Sequence, residues 1–172
     1  VSNEAPDADM RGAAMVMHVR ECSASRIAVP FHIQRADGSW DRSRTWLITR
    51  TDRGLRLKHD HRHADGSADA VTMYGGDTAT GGTAGTQDFP VDAESIAMFR
   101  AAGLGKSVTN RWKVEIGDSL YAYGLHRPDG PDARNFRVEF DLTQPVTPPP
   151  APWAWPCPSR AWRGPSRKAG EP

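Results

Sequence analysis

The chain has 172 residues, 38% of them apolar, with 16 glycines and 14 prolines: room for one domain and its core, and turn chemistry that favours a β-rich fold over a helical bundle. The formal charge is +1, yet from Thr143 onward Arg160, Arg163, Arg167 and Lys168 face only Glu171, which leaves residues 1–142 at −2. Such a domain gives no electrostatic reason to expect nucleic acid, no run approaches the roughly 18 apolar residues of a membrane span, and two cysteines, Cys22 and Cys157, are too few for a thiolate zinc site.

Residues 1–10 are polar and acidic and read as a flexible arm, with no signal-peptide pattern. Residues 11–142 carry short runs of period two separated by turns. Ala14 to Glu21 reads as a strand. In Arg26 to Ile33 the apolar Ile27, Val29, Phe31 and Ile33 alternate on one face. Asp37-Gly38 turns the chain into a strand over Arg44 to Thr51, and Asp52-Arg53-Gly54 leads into another over Arg53 to His63. Ala70 to Tyr74 pairs back on it. Residues 75–88, GGDTATGGTAGTQD, read as a loop.

One helix follows. Asp92 is its N-cap, Glu94 lies in its first turn, Ile96 and Phe99 share a face, and Gly103 stops it. Strands resume at Asn110 to Ile116, Leu120 to His126 and Arg134 to Leu142. About eight strands with short connections predict an all-β fold with one short helix. The economical form is a small antiparallel meander closing, fully or incompletely, into a lipocalin-like barrel, with an open sandwich as the alternative. Residues 143–172 hold nine prolines and Trp153, Trp155 and Trp162, and read as an extended or disordered tail, with Trp153 and Trp155 packing back on the barrel.

The strand RGLRLKHDHRH is the most informative segment. Alternation puts Leu55, Leu57, His59, His61 and His63 on one face and Arg56, Lys58, Asp60 and Arg62 on the other. The second face is wholly charged and should be solvated, so the histidines continue the buried leucine face toward a barrel mouth. Neutral imidazoles spaced i, i+2 on a strand point the same way and can share a divalent metal such as zinc, with His59 and His61 as ligands and His63, or His18 or His126 from another strand, as the third. The other reading is a polar rim on an apolar interior. The order His59-Asp60-His61-Arg62-His63 does not match the H-x-H-x-D-H spacing of metallo-β-lactamase-type hydrolases.

Gly117-Asp118-Ser119-Leu120 spells the GDSL esterase block, which would make Ser119 a nucleophile served by His126 or His63. The only D-x-x-H pair, Asp60 to His63, precedes it, and the block lies between two strand patterns where a hairpin turn belongs. Asp37 and Asp41, Asp65 and Asp69, and Asp129 and Asp132 offer a calcium ion a loop, without matching a D-x-D-x-D-G motif.

Met15-Val16-Met17-His18-Val19-Arg20, Trp46-Leu47, Leu57 to His63, Met73-Tyr74-Gly75-Gly76-Asp77-Thr78 and Phe136 to Leu142 together resemble a group of uncharacterised bacterial exported proteins with a lipocalin-like β-barrel. The resemblance covers most of residues 12–153. It implies a barrel and a periplasmic or secreted setting, and no activity. Two functions are expected from the residues. The first is a barrel that holds a small, mainly apolar molecule, with Leu57, His59, His61, Tyr121 and Tyr123 lining its site. The second is a hydrolase of a lipophilic ester or lactone, either metal-assisted through the histidines or built on Ser119, with His61, His63 and Ser119 as its catalytic groups.

Overall fold

The computed structural model describes residues 5–155. Ten strands form two antiparallel sheets: β1 (Met15–Met17), β2 (Glu21–Cys22), β3 (Arg26–Gln34), β4 (Trp40–Thr51), β5 (Gly54–His61), β6 (Tyr74–Asp77), β7 (Thr86–Pro90), β8 (Arg111–Ile116), β9 (Leu120–Arg127) and β10 (Arg134–Asp141). The helix α1 spans Ala93–Ala101, and 3-10 turns cover Ala5–Met10 and Gly105–Thr109. The six-stranded sheet runs β1-β3-β4-β5-β6, with β2 also on β3, and the four-stranded sheet runs β10-β9-β8-β7.

The chain is thus all-β with one short helix, and its two sheets do not close into a barrel. They join at one corner, where Gly76 bridges Val91 and the Asp92 N–H donates to the Gly75 carbonyl at 3.0 Å. They stay apart at the other, where β1 and β10 are the free edges.

Alternation sorts the residues as a two-layer fold requires. Val29, Phe31 and Ile33 of β3, Trp46 and Ile48 of β4, Trp112 and Val114 of β8, and Phe136, Val138 and Phe140 of β10 are buried in one shared core. Removing each large side chain from water stabilises the fold by about 1.5–3 kcal/mol. Aromatic stacking runs through it: the Trp46 ring lies 5.0 Å from Phe31 and 4.4 Å from Tyr123, near-parallel to both.

Of residues 75–88, only 78–85 are the loop expected, and the corner explains the rest. Gly75-Gly76-Asp77 belongs to β6, and Thr86 to Asp88 begins β7. A Cβ on Gly75 would stand 1.8 Å from the Leu57 carbonyl oxygen, and one on Gly76 1.8 Å from that of Pro90. The glycines are there because two backbones press on this strand from either side, and a glycine pair for close approach has the same spelling as one for a loop. The strand placed at Ala70 to Tyr74 correspondingly lies later, at Tyr74–Asp77.

Helix α1 is capped as its sequence predicts, Asp92 accepting from the Ser95 N–H at 2.8 Å, with Gly103 at φ +72° beyond its end. Its N-terminus covers the outer face of β5. Lys58 there is only 8% exposed and pairs with Asp92 and Glu94, both at 2.9 Å, so the charged face expected to be solvated is partly roofed. Ser95, fully buried, accepts the Gly75 N–H at 2.8 Å and ties the helix to the corner.

Both chain ends, as far as they are described, pack against the domain. Asp7 in the Ala5–Met10 turn is 1% exposed and forms a two-point ion pair with Arg134 at the start of β10. The tail, as far as it is described, lies on the outer face of the six-stranded sheet. The Arg42 guanidinium donates to the Ala151 carbonyl at 2.9 Å, His32 Nε2 donates to the Pro150 carbonyl at 2.9 Å, and Arg35 stacks on Trp153. Cys157 and Trp162 lie outside the described residues.

Candidate functional site

Between the two sheets, beside the corner, lies a cavity of about 350 Å³. Aromatic rings line it, those of Phe31, Trp46, Phe99, Trp112, Tyr123 and Phe136. Polar groups lie among them: His59 and His61 of β5, Tyr74 of β6, Arg44 of β4, Asp69, Asn110 and the Asp7–Arg134 pair. The pattern follows from β5, whose alternation turns His59 and His61 inward beyond the fully buried Leu57, and from short β6, which ends with Tyr74 facing them.

His59 is 4% exposed and both its ring nitrogens are used. Nδ1–H donates to the Tyr74 carbonyl at 3.1 Å, which leaves Nε2 to accept the Tyr123 hydroxyl at 2.7 Å. The ring is flanked by Tyr74, stacked at 4.7 Å, and by Trp112 at 5.0 Å. Burial drives its pKa down to about 3, the Tyr74 carbonyl opposing and the charges of His61 and Lys58 lowering it further. His61 Nε2 pairs with the Tyr74 hydroxyl at 3.2 Å. Burial, then the Arg44 charge, lowers His61 to about 4. Burial raises Tyr74 to about 12 and Tyr123 well above its ordinary value. At neutral pH these groups are therefore two uncharged imidazoles and two uncharged phenols bonded in pairs.

His63 is not part of this row. β5 ends at His61, and the turn that Ala64-Asp65-Gly66-Ser67 imposes carries His63 out to solvent, its N–H donating to the Ser67 carbonyl at 2.9 Å. The metal triad of His59, His61 and His63 is accordingly not assembled, and among the described residues no three His, Cys, Asp or Glu side chains gather as metal ligands. Two of the aspartates considered for calcium serve turns. Asp37 and Asp65 each accept both the N–H and the hydroxyl of the serine two residues on, Ser39 and Ser67.

Ser119 is exposed in the β8–β9 hairpin, whose Gly117 N–H donates to the Leu120 carbonyl at 2.9 Å. His126 pairs with Arg111 at the far end of that hairpin, about 20 Å along the strand. His61, His63 and Ser119 therefore do not form one catalytic group, Ser119 being outside the cavity and His63 on the surface.

Of the ligand-lining residues expected, His59, His61 and Tyr123 face the cavity. Leu57 is core beneath them. Tyr121 is buried against Trp46 and Phe140, and its hydroxyl finds no hydrogen-bond partner among the described residues. Sequence reasoning missed Tyr74, Trp112, Arg44, Arg134 and Asp7. Trp112 was findable, since it alternates inward with Val114 in Arg111–Ile116. Asp7 and Arg134 stand 127 positions apart with no local signal that joins them. Compared with protein-family models, with curated proteins and with solved structures, the chain has no significant match.

Proposed function

We propose that this protein binds a small, mainly apolar ligand in the cavity between its sheets. The observation that carries the reading is the lining: aromatic rings around about 350 Å³, interleaved with polar groups, among which His59, His61, Tyr74 and Tyr123 are held in fixed orientations by hydrogen bonds. That is the composition of small-molecule sites, where apolar area supplies affinity and a few polar groups supply orientation. The same groups are poorly placed for acid–base chemistry. A general base works best with a pKa near the operating pH, whereas His59 and His61 lie at about 3 and about 4 and Tyr74 at about 12.

Titration calorimetry with methyl 2-naphthoate tests this reading. The expected result is saturable one-to-one binding, weakened at least tenfold in Val71→Trp, which fills the cavity from a half-buried lining position. Absence of binding would sink it. Steady release of 2-naphthoate from the ester would replace it with the hydrolase reading.

A further inference from the structure

Two arginines line the cavity, and they are held differently. Arg44 pairs with Asp41 at 2.9 Å and with Ser43 at 3.0 Å, both on its own strand, so its partners are fixed by local sequence. Arg134 takes its partner from the other end of the chain. Asp7 meets its guanidinium at two points, Nε to Oδ2 at 3.1 Å and Nη2 to Oδ1, in the fork geometry by which arginine recognises any carboxylate.

The guanidinium has a second contact besides Asp7. It lies over the Phe136 ring at 5.9 Å, a contact on its own strand. Its charge also bears on the cavity: it acts on the hydroxyls of both Tyr74 and Tyr123. A second polar group is left over nearby. Asn110 lines the cavity, is 5% exposed, and its Oδ1 finds no donor among the described residues. Buried acceptors are normally paired, so the same cavity holds an orphan acceptor and a positive charge that a short terminal segment neutralises.

We propose that Asp7 is an internal stand-in for the carboxylate of a ligand, and that the cavity takes a small aromatic carboxylic acid whose acid group replaces Asp7 on Arg134. The inference rests on the ligand-binding reading above and adds its chemical class. The ring of such a ligand lies against the aromatic side chains. A hydroxyl or N–H on it would supply the donor that Asn110 lacks. The Ala5–Met10 segment is the part that gives way, because Asp7 lies in a six-residue 3-10 stretch and not in either sheet. In the resting protein it competes with the ligand by mass action.

The test compares 2-naphthoate with its neutral methyl ester by calorimetry on the full chain, in wild type, Asp7→Asn, Asp7→Ala and the double variant Asp7→Asn with Arg134→Gln. The expected result is that both single variants bind 2-naphthoate at least tenfold more tightly than wild type. Ester affinity stays within about twofold, and the double variant loses the gain. Thermal unfolding guards against a folding defect: 2-naphthoate raises the Tm of Asp7→Asn more than the ester does. If the ester binds throughout but no variant gains affinity for 2-naphthoate, or if both probes gain equally, the stand-in role is overturned while the binding reading survives. If neither probe binds any variant, both fall together.

Discussion

Where β6 meets the end of β7, the sheets touch backbone to backbone, Gly76 bridging Val91 with no room for a Cβ. Between the edges β1 and β10 no ladder forms, and Asp7, in the segment that precedes β1, pairs by charge with Arg134 at the start of β10. The first seam is made of groups every residue carries and is secured by the absence of side chains. The second is made of two particular side chains and is secured by their charge. A backbone seam tolerates almost no substitution but is indifferent to what lies in the cavity. A side-chain seam is replaceable, and a ligand bearing the same charge as Asp7 can replace it.

The largest effect should come from breaking the backbone seam. Gly76→Ala puts a methyl 1.8 Å from the Pro90 carbonyl oxygen, and only backbone movement relieves it. A loss of at least about 3 kcal/mol in urea unfolding is expected. A loss under about 1 kcal/mol would mean that the corner is not closed as described.

Acid should act next, through the histidines beside that seam. His59 has a folded pKa of about 3 and His61 of about 4, against 6.5 as the ordinary value. Both are bases depressed by burial, so between those limits the unfolded chain binds more protons than the folded one. Stability is therefore full above pH 6.5 and falls as pH drops toward about 3. At pH 5 the His59 contribution to that loss is on the order of 2 kcal/mol. His59→Phe should flatten the slope of unfolding free energy between pH 6.5 and 4, and an unchanged slope would remove the buried neutral imidazole as its cause.

The side-chain seam should be weaker. Asp7→Asn leaves Arg134 without its carboxylate. Because the Arg134 side chain is 18% exposed, water offsets part of the loss. The expected cost is about 1–2 kcal/mol, below the several kcal/mol of a fully buried pair. A cost larger than that of Gly76→Ala would invert the comparison. Smallest is Ser95→Ala, which takes one acceptor from the buried Gly75 N–H. About 1 kcal/mol is expected, visible also as faster amide exchange at Gly75.

Much of the fold is legible in residue order because alternation and capping are local. β3, β5 and β10 declare their inward faces by period two, and Asp92 declares the start of α1 by its cap. His59 and His61 are readable for the same reason. His63 is not, because alternation says which face a residue would take if the strand continued, and the turn at residues 64–67 stops the strand first. Lys58 was read as solvated because a strand's outer face carries no record of the helix that later covers it.

The sequence by itself determined that this chain builds antiparallel sheet around an aromatic core, with one capped helix and two inward histidines. Those features depend on neighbours within a few positions, where spacing alone sets direction. Only the tertiary structure decided that the sheets stop short of a barrel, that the glycine-rich segment is their shared corner, and that Asp7 finds Arg134 across 127 positions. The reason is common to all three. Each depends on which distant surfaces come into contact, and long-range contact is set by the packing of whole sheets, which no local pattern of residue types records.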